Sequence, residues 1–181
     1  MHRFIPFLLL IVVSSCKEKK EEISSSAPQI PESTTTVFKS ASQTIPFYTY
    51  DEFEEQLHKK DDKTYIVNFW ATWCKPCVKE LPAFEKLNAN YNDKSVEVIL
   101  VSMDFKQHIE TKVVPFVDAN KIKSEVVVLD DAKSHKWIPK VSEEWSGAIP
   151  ATVIYNKDTR KFYERSFTYE ELETEVQQFL N

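Results

Sequence analysis

The chain has 181 residues, with 28 acidic against 23 basic side chains, a net charge of −5 and a single glycine. One glycine cannot write a dinucleotide fingerprint, which needs three, or a phosphate-cradling loop, which needs two. The acidic balance argues against a nucleic-acid partner, and three cysteines are too few for a disulfide scaffold. Met1, His2 and Arg3 open the chain with positive charge, residues 4–13 form an apolar run broken only by Pro6, and Ser14 and Ser15 follow. This is the plan of a secretory signal over residues 1–15. Ten apolar residues are too few to span a bilayer, which takes roughly 20.

The next residue is Cys16, and Val13-Ser14-Ser15-Cys16 resembles a bacterial lipobox, in which the cysteine is lipidated and becomes the mature N-terminus. The alternative is an ordinary signal peptide cut nearby, with Cys16 incidental. Residues 16–44 read as the lipidated cysteine and a flexible tether. They combine a charge run (Lys17 to Glu22) with serines, threonines and two prolines, and such a stretch buries too little apolar surface to offset its ordering entropy. These features place the chain in the cell envelope, lipid-anchored, on the periplasmic side or the cell surface.

From residue 45 to 181 the texture is that of one α/β domain. Thr49 with Glu52 reads as a capping box for a first helix carrying Phe53 and Leu57 inward. Residues 64–70 form a nearly continuous apolar run, the sign of a strand covered on both faces. A helix over 74–91 carries Val78, Leu81, Phe84, Leu87 and Tyr91 on one stripe, with Pro82 inside it to kink it. A second buried strand spans 96–102, and a helical segment over 106–122 is interrupted by Pro115. A short strand over 125–129 and a helix over 132–141 follow. Strands over 152–155 and 161–167 form a hairpin, and Thr168 with Glu171 caps a last helix that turns Leu172, Val176, Phe179 and Leu180 inward.

The chemistry sits at the end of the first strong strand, Trp73-Cys74-Lys75-Pro76-Cys77. Two cysteines three apart share one helical turn, and a bridge between them closes too small a loop to matter for stability. Reactivity is the better reason for the pair. A helix N-terminus favours a thiolate, Lys75 adds positive charge, and Pro76 fits the first turn, where its missing N–H costs nothing. Cys74, nearer the helix end, is the nucleophile, and Cys77 resolves the mixed disulfide. A closed zinc site needs four ligands, and His58, His108 and His135 are scattered, so no metal site is expected. Trp137 and Trp145 read as core or rim packing. The single glycine, Gly147, is the candidate for a positive φ in the loop facing the dithiol, with the other turns left to Asn, Asp and Pro.

Residues 68–77 (Asn68-Phe69-Trp70-Ala71-Thr72-Trp73-Cys74-Lys75-Pro76-Cys77), then Glu80-Leu81-Pro82 and Gly147-Ala148-Ile149-Pro150-Ala151-Thr152, closely resemble the TlpA/ResA-like branch of the thioredoxin superfamily. The resemblance implies a thioredoxin-like fold: a central mixed sheet flanked by helices, with residues 105–130 inserted between the second and third core strands. It implies an extracytoplasmic, membrane-anchored thiol-disulfide oxidoreductase acting as a reductant. Its substrates would be protein disulfides or dithiols, its electron donor a membrane protein, and it would act as a monomer with no cofactor beyond its own cysteines. It implies that Pro150 is cis, that Ile149 pairs with bound substrate through its backbone, and that Trp73 shields the sulfurs and lines the partner groove. Thioredoxin proper carries a buried Asp where this chain has Asn68. Members of this branch are thought to use a Glu one turn after the second cysteine, here Glu80, which could otherwise be a solvated rim residue. Two other functions exist on the fold. Copper chaperones pair Cys-x3-Cys with a later His, against Cys-x2-Cys here, and peroxide reductases place a Pro and Thr/Ser ahead of the reactive Cys, absent before Cys74.

Overall fold

The computed structural model describes residues 36–180, together with Met1. The signal sequence, Cys16 and all but the last part of the tether lie outside these residues. Among the described residues, seven strands form one mixed sheet. They are β1 (Val37–Lys39), β2 (Thr44–Tyr48), β3 (Thr64–Trp70), β4 (Val96–Ser102), β5 (Glu125–Leu129), β6 (Ala151–Tyr155) and β7 (Arg160–Tyr163), in the order β1-β2-β5-β4-β3-β6-β7. The sheet begins earlier than the sequence texture suggests. β1 falls inside the segment read as tether and pairs antiparallel with β2, Phe38 opposite Ile45.

The helices are α1 (Tyr50–Phe53), α2 (Lys75–Tyr91), α3 (Val114–Ala119), α4 (Ser134–Val141) and α5 (Tyr169–Gln177). They cover both faces of the sheet, and β3 shows why. All seven of its residues are buried, and alternate side chains serve opposite cores. Ile66 and Trp70 join Leu81, Phe84 and Leu87 of α2 and Leu172 and Val176 of α5. Tyr65, Val67 and Phe69 join Tyr50 and Phe53 of α1 and Trp137 and Val141 of α4. This is the thioredoxin-like layering expected from the sequence. Trp137 and Trp145 are core residues, 2% and 5% exposed.

Four local readings are corrected. The segment over 106–122 is helical and interrupted, but it breaks into three pieces rather than at Pro115 alone. It is a 3₁₀ turn (Lys106–His108), a widened π turn (Ile109–Val113) and α3, with Pro115 in the first turn of α3, where a missing N–H is tolerated. The last strand ends at Tyr163 rather than 167, because the chain then leaves the ladder: the Phe167 N–H donates to a Glu80 carboxylate oxygen (2.9 Å). Leu180 is exposed, because α5 stops at Gln177 and Phe179 takes the last inward position. In α2 the helix runs on through Pro82. Val78 is only half-buried, and Cys77 and Glu80 take the first inward positions of that helix.

Register sets up the site. β3 and β4 run parallel, Trp70 opposite Ser102, so their C-terminal ends lie side by side. β6 runs antiparallel to β3, Phe69 opposite Ala151 and Asn68 opposite Thr152. The loop entering β6, which ends in Pro150, therefore arrives where β3 hands over to α2. Ligand sites of α/β sheets form at such carboxyl ends.

Candidate active site

Cys74 and Cys77 are joined in a disulfide, with Cα atoms 5.3 Å apart. Cys74 is the N-cap of α2, and its sulfur accepts the Cys77 backbone N–H (3.3 Å). The helix thus spends one of its unpaired N–H groups on the outer sulfur, the placement that favours a thiolate once the bridge opens. Cys74 retains 6% exposure and Cys77 none, so only the first cysteine can be reached from outside. Pro76 lies in the first turn, and both it and Lys75 are exposed.

Pro150 is buried, and the Ile149–Pro150 peptide bond is cis. The Cys74 sulfur lies 3.7 Å from the Ile149 carbonyl oxygen. Residues 149–150 and the dithiol, separated by some seventy positions in the chain, thus meet as the sequence motifs imply. Trp145 helps to hold this loop: its ring packs on Phe69 with centroids 4.7 Å apart, and its Nε1 donates to the Ala148 carbonyl (2.8 Å). Gly147 has φ +94°, so the backbone calls for glycine, and a Cβ there would press on the tip of the Ile138 side chain, 3.2 Å away. Among the described residues the other left-handed positions are Ser95 and Lys121, while Asn156, Asp61 and Asp131 hold turns through their side chains, as expected.

Glu80 is 4% exposed, not a solvated rim residue. Its Oε1 accepts from Asn68 Nδ2 (2.9 Å) and its Oε2 from the Phe167 N–H (2.9 Å). Burial pushes its carboxyl up to about 7, outweighing the opposing hydrogen bonds from Phe167 and Asn68 and the charge of Arg165. Asn68 Nδ2 also donates to Thr152 Oγ1 (3.1 Å), the residue facing it across the strands. Among the described residues Asn68 Oδ1 has no hydrogen-bond partner. The buried polar group three residues beyond Cys77 is therefore an Asn68–Glu80–Thr152 set. Its sequence signal is a polar residue inside the otherwise apolar run of β3.

Trp73 is 59% exposed and lines a groove together with Thr72 and residues that follow β4. The turn before it is held by Asp104, which the sequence reading missed. Asp104 is 1% exposed and accepts from the Thr72 N–H (2.8 Å), the Thr72 hydroxyl (2.6 Å) and the Ser102 hydroxyl (2.9 Å). No periodicity marks it, since Thr72 lies past the end of a different strand. Among the described residues, no group of three or more His, Cys, Asp or Glu side chains is arranged to hold a metal ion, and no helix is long and apolar enough to cross a membrane.

Residues 43–160 match the model of the AhpC/TSA family. A thiol-disulfide oxidoreductase ResA of Oceanobacillus iheyensis is 44% identical over 54 residues, covering 30% of this chain and 28% of that protein. The ResA of Bacillus cereus is 34% identical over 114 residues, covering 62% of this chain and 61% of that protein. The chain thus spans less than two thirds of the length of these relatives. The crystal structure of StoA from Bacillus subtilis is similar in fold, with a TM-score of 0.51 and 24% identity over 77% of this chain and 96% of that one.

Proposed function

The chain belongs to the AhpC/TSA family, and on that premise we propose that it is a thiol-disulfide oxidoreductase that reduces disulfides of client proteins outside the cytoplasm. The observation that carries this reading is the Cys74–Cys77 disulfide at the N-terminus of α2, with the outer sulfur 3.7 Å from the carbonyl that precedes Pro150. In the reduced protein the Cys74 thiolate attacks one client sulfur. A Cys74–client disulfide forms and one client thiol leaves. Cys77 then loses its proton and attacks the Cys74 sulfur. The internal disulfide forms, the second client thiol leaves, and two electrons have passed to the client. Glu80, three residues beyond Cys77 and buried like it, is the acceptor for that proton, directly or through a water. Ile149 offers backbone pairing to the client, and Lys75 and Pro76 tune the dithiol. A membrane electron donor restores the reduced pair.

The full chain, reduced with a dithiol reagent and then freed of it, should generate two client thiols per molecule from a protein disulfide. Its reduction potential should lie nearer that of thioredoxin, about −270 mV, than the roughly −120 mV of a strong oxidant. Absence of client thiols while Cys74 and Cys77 stay reduced would overturn the reading, and a potential near the upper figure would reverse the direction of flow.

Cys16 is proposed as the lipidated anchor, on the support of Val13-Ser14-Ser15 before it and the polar run after it. In a bacterial host a Cys16→Ser variant should move from the membrane fraction to the soluble one. A variant that stays with the membrane would remove the anchor from this account.

A further inference from the structure

A groove of about 920 Å³, in the size range of ligand pockets, opens at the two residues that precede Cys74 in the chain. One wall is Thr72 and Trp73, the residues that lead into Cys74. The other is the irregular helical segment after β4, with Phe105, His108, Pro115 and Phe116 facing the space. Trp73 and Phe105 are among the few large apolar side chains the described residues leave open, 59% and 55% exposed, and both line this groove. Neighbouring exposed apolar surfaces of this kind mark interaction sites.

The groove is built rather than incidental. Asp104 lies between its walls and ties Thr72 to the end of β4 through two hydrogen bonds of 2.8 and 2.6 Å. Phe116 packs on the buried Trp70 ring, with centroids 5.2 Å apart. Phe105 sits edge-on to His108, and its carbonyl accepts the His108 N–H (2.8 Å). Its occupant follows from its continuity with the redox site. Cys74 is nearly buried, so a client disulfide must be laid against it, and the chain on one side of the client cysteine then runs past Trp73. Two sulfur atoms carry little identity, and recognition has to come from the flanking residues.

Building on the oxidoreductase reading, we infer that this groove binds the client segment beside the reacting cysteine and selects a bulky apolar side chain, seated against Phe105, Pro115 and Phe116. Apolar anchors in preformed pockets dominate such interfaces.

The test compares three disulfide substrates with the full chain. Two are peptides identical except for Leu or Ser beside the cysteine, and the third is a small aromatic disulfide with no flanking chain. Wild type should favour the Leu peptide about tenfold in kcat/KM, the size expected for one buried apolar side chain. Phe105→Ser, at an exposed position, should lose most of that preference through KM and leave the small disulfide unchanged. Ala119→Phe, which fills the groove from α3, should do the same. Equal rates on the two peptides in wild type, or a preference that survives both substitutions, would overturn the inference. So would loss of binding to anionic phospholipid vesicles in Phe105→Ser with peptide selectivity intact, which would assign the groove to a membrane surface. Failure of wild type to reduce any of the three would instead overturn the oxidoreductase reading, and this inference with it.

Discussion

A Cys77→Ser variant, reduced and mixed with a client disulfide, should accumulate a covalent adduct with the client and stop there, whereas Cys74→Ser should form no adduct at all. The asymmetry comes from the geometry of one helical turn. Cys74 caps α2 and keeps 6% of its surface, while Cys77 is fully buried one turn in. Only the first sulfur can meet a client, and the helix N-terminus together with the Cys77 N–H stabilises it as thiolate. The second sulfur has one available partner, the Cys74 sulfur, across Cα atoms 5.3 Å apart, which is inside the bridging range. Removing Cys77 removes the escape from the mixed disulfide, so turnover falls to the uncatalysed background while the first half-reaction survives. Intact mass under non-reducing conditions reads the adduct directly: one client per chain in Cys77→Ser, lost again on adding a dithiol. An adduct of equal yield in Cys74→Ser would exchange the roles of the two cysteines.

The parts of this molecule that the sequence makes legible are those governed by one segment at a time. Strands over 64–70, 96–102 and 125–129 coincide with β3, β4 and β5, because continuous apolar runs bounded by polar residues report burial on both faces. The capping boxes at Thr49 and Thr168 mark the starts of α1 and α5 for the same local reason. The meeting of Cys74 with Ile149 was readable only through the resemblance that motifs seventy residues apart carry together. What stayed hidden depends on approach. Asp104 matters because Thr72, thirty-two residues earlier, turns its N–H toward it, and Phe167 leaves its strand to reach Glu80 across eighty-seven residues. β1 is three residues long with no apolar alternation, and it exists because β2 offers it an edge. The groove beside Trp73 has the same character. Phe105 and Phe116 lie in a segment whose helical period is broken twice, so no stripe announces the surface they share.

Glu80→Gln should lower activity and raise stability at neutral pH, and the two effects should share one pH window. Glu80 has an ordinary value of 4.5, and burial moves it to about 7 in the fold. As a proton acceptor it works in the carboxylate form, so the rate at which Cys77 closes on Cys74 should climb as pH rises through about 7. Glutamine cannot take the proton. The climb at 7 should vanish, leaving only the limb set by the thiols themselves, and the rate at pH 7 should drop about 100-fold, the usual worth of a positioned general base. Stability follows the opposite course. Between pH 4.5 and 7 the unfolded chain has released the Glu80 proton and the folded one still holds it. The native state therefore binds more protons, and its stability falls across that window, by on the order of 3 kcal/mol for a shift of this size. The variant should lack this decline. Its amide is nearly isosteric, with an oxygen for the Phe167 N–H, and its Nε2 can donate to the unpartnered Asn68 Oδ1 once the Asn68 amide turns over. Denaturant midpoints measured at pH 5 and pH 8 beside single-turnover rates over the same range separate the roles. A residue that merely supports the fold would lose rate and stability together, and a wild-type profile flat through pH 7 would remove Glu80 from the proton path.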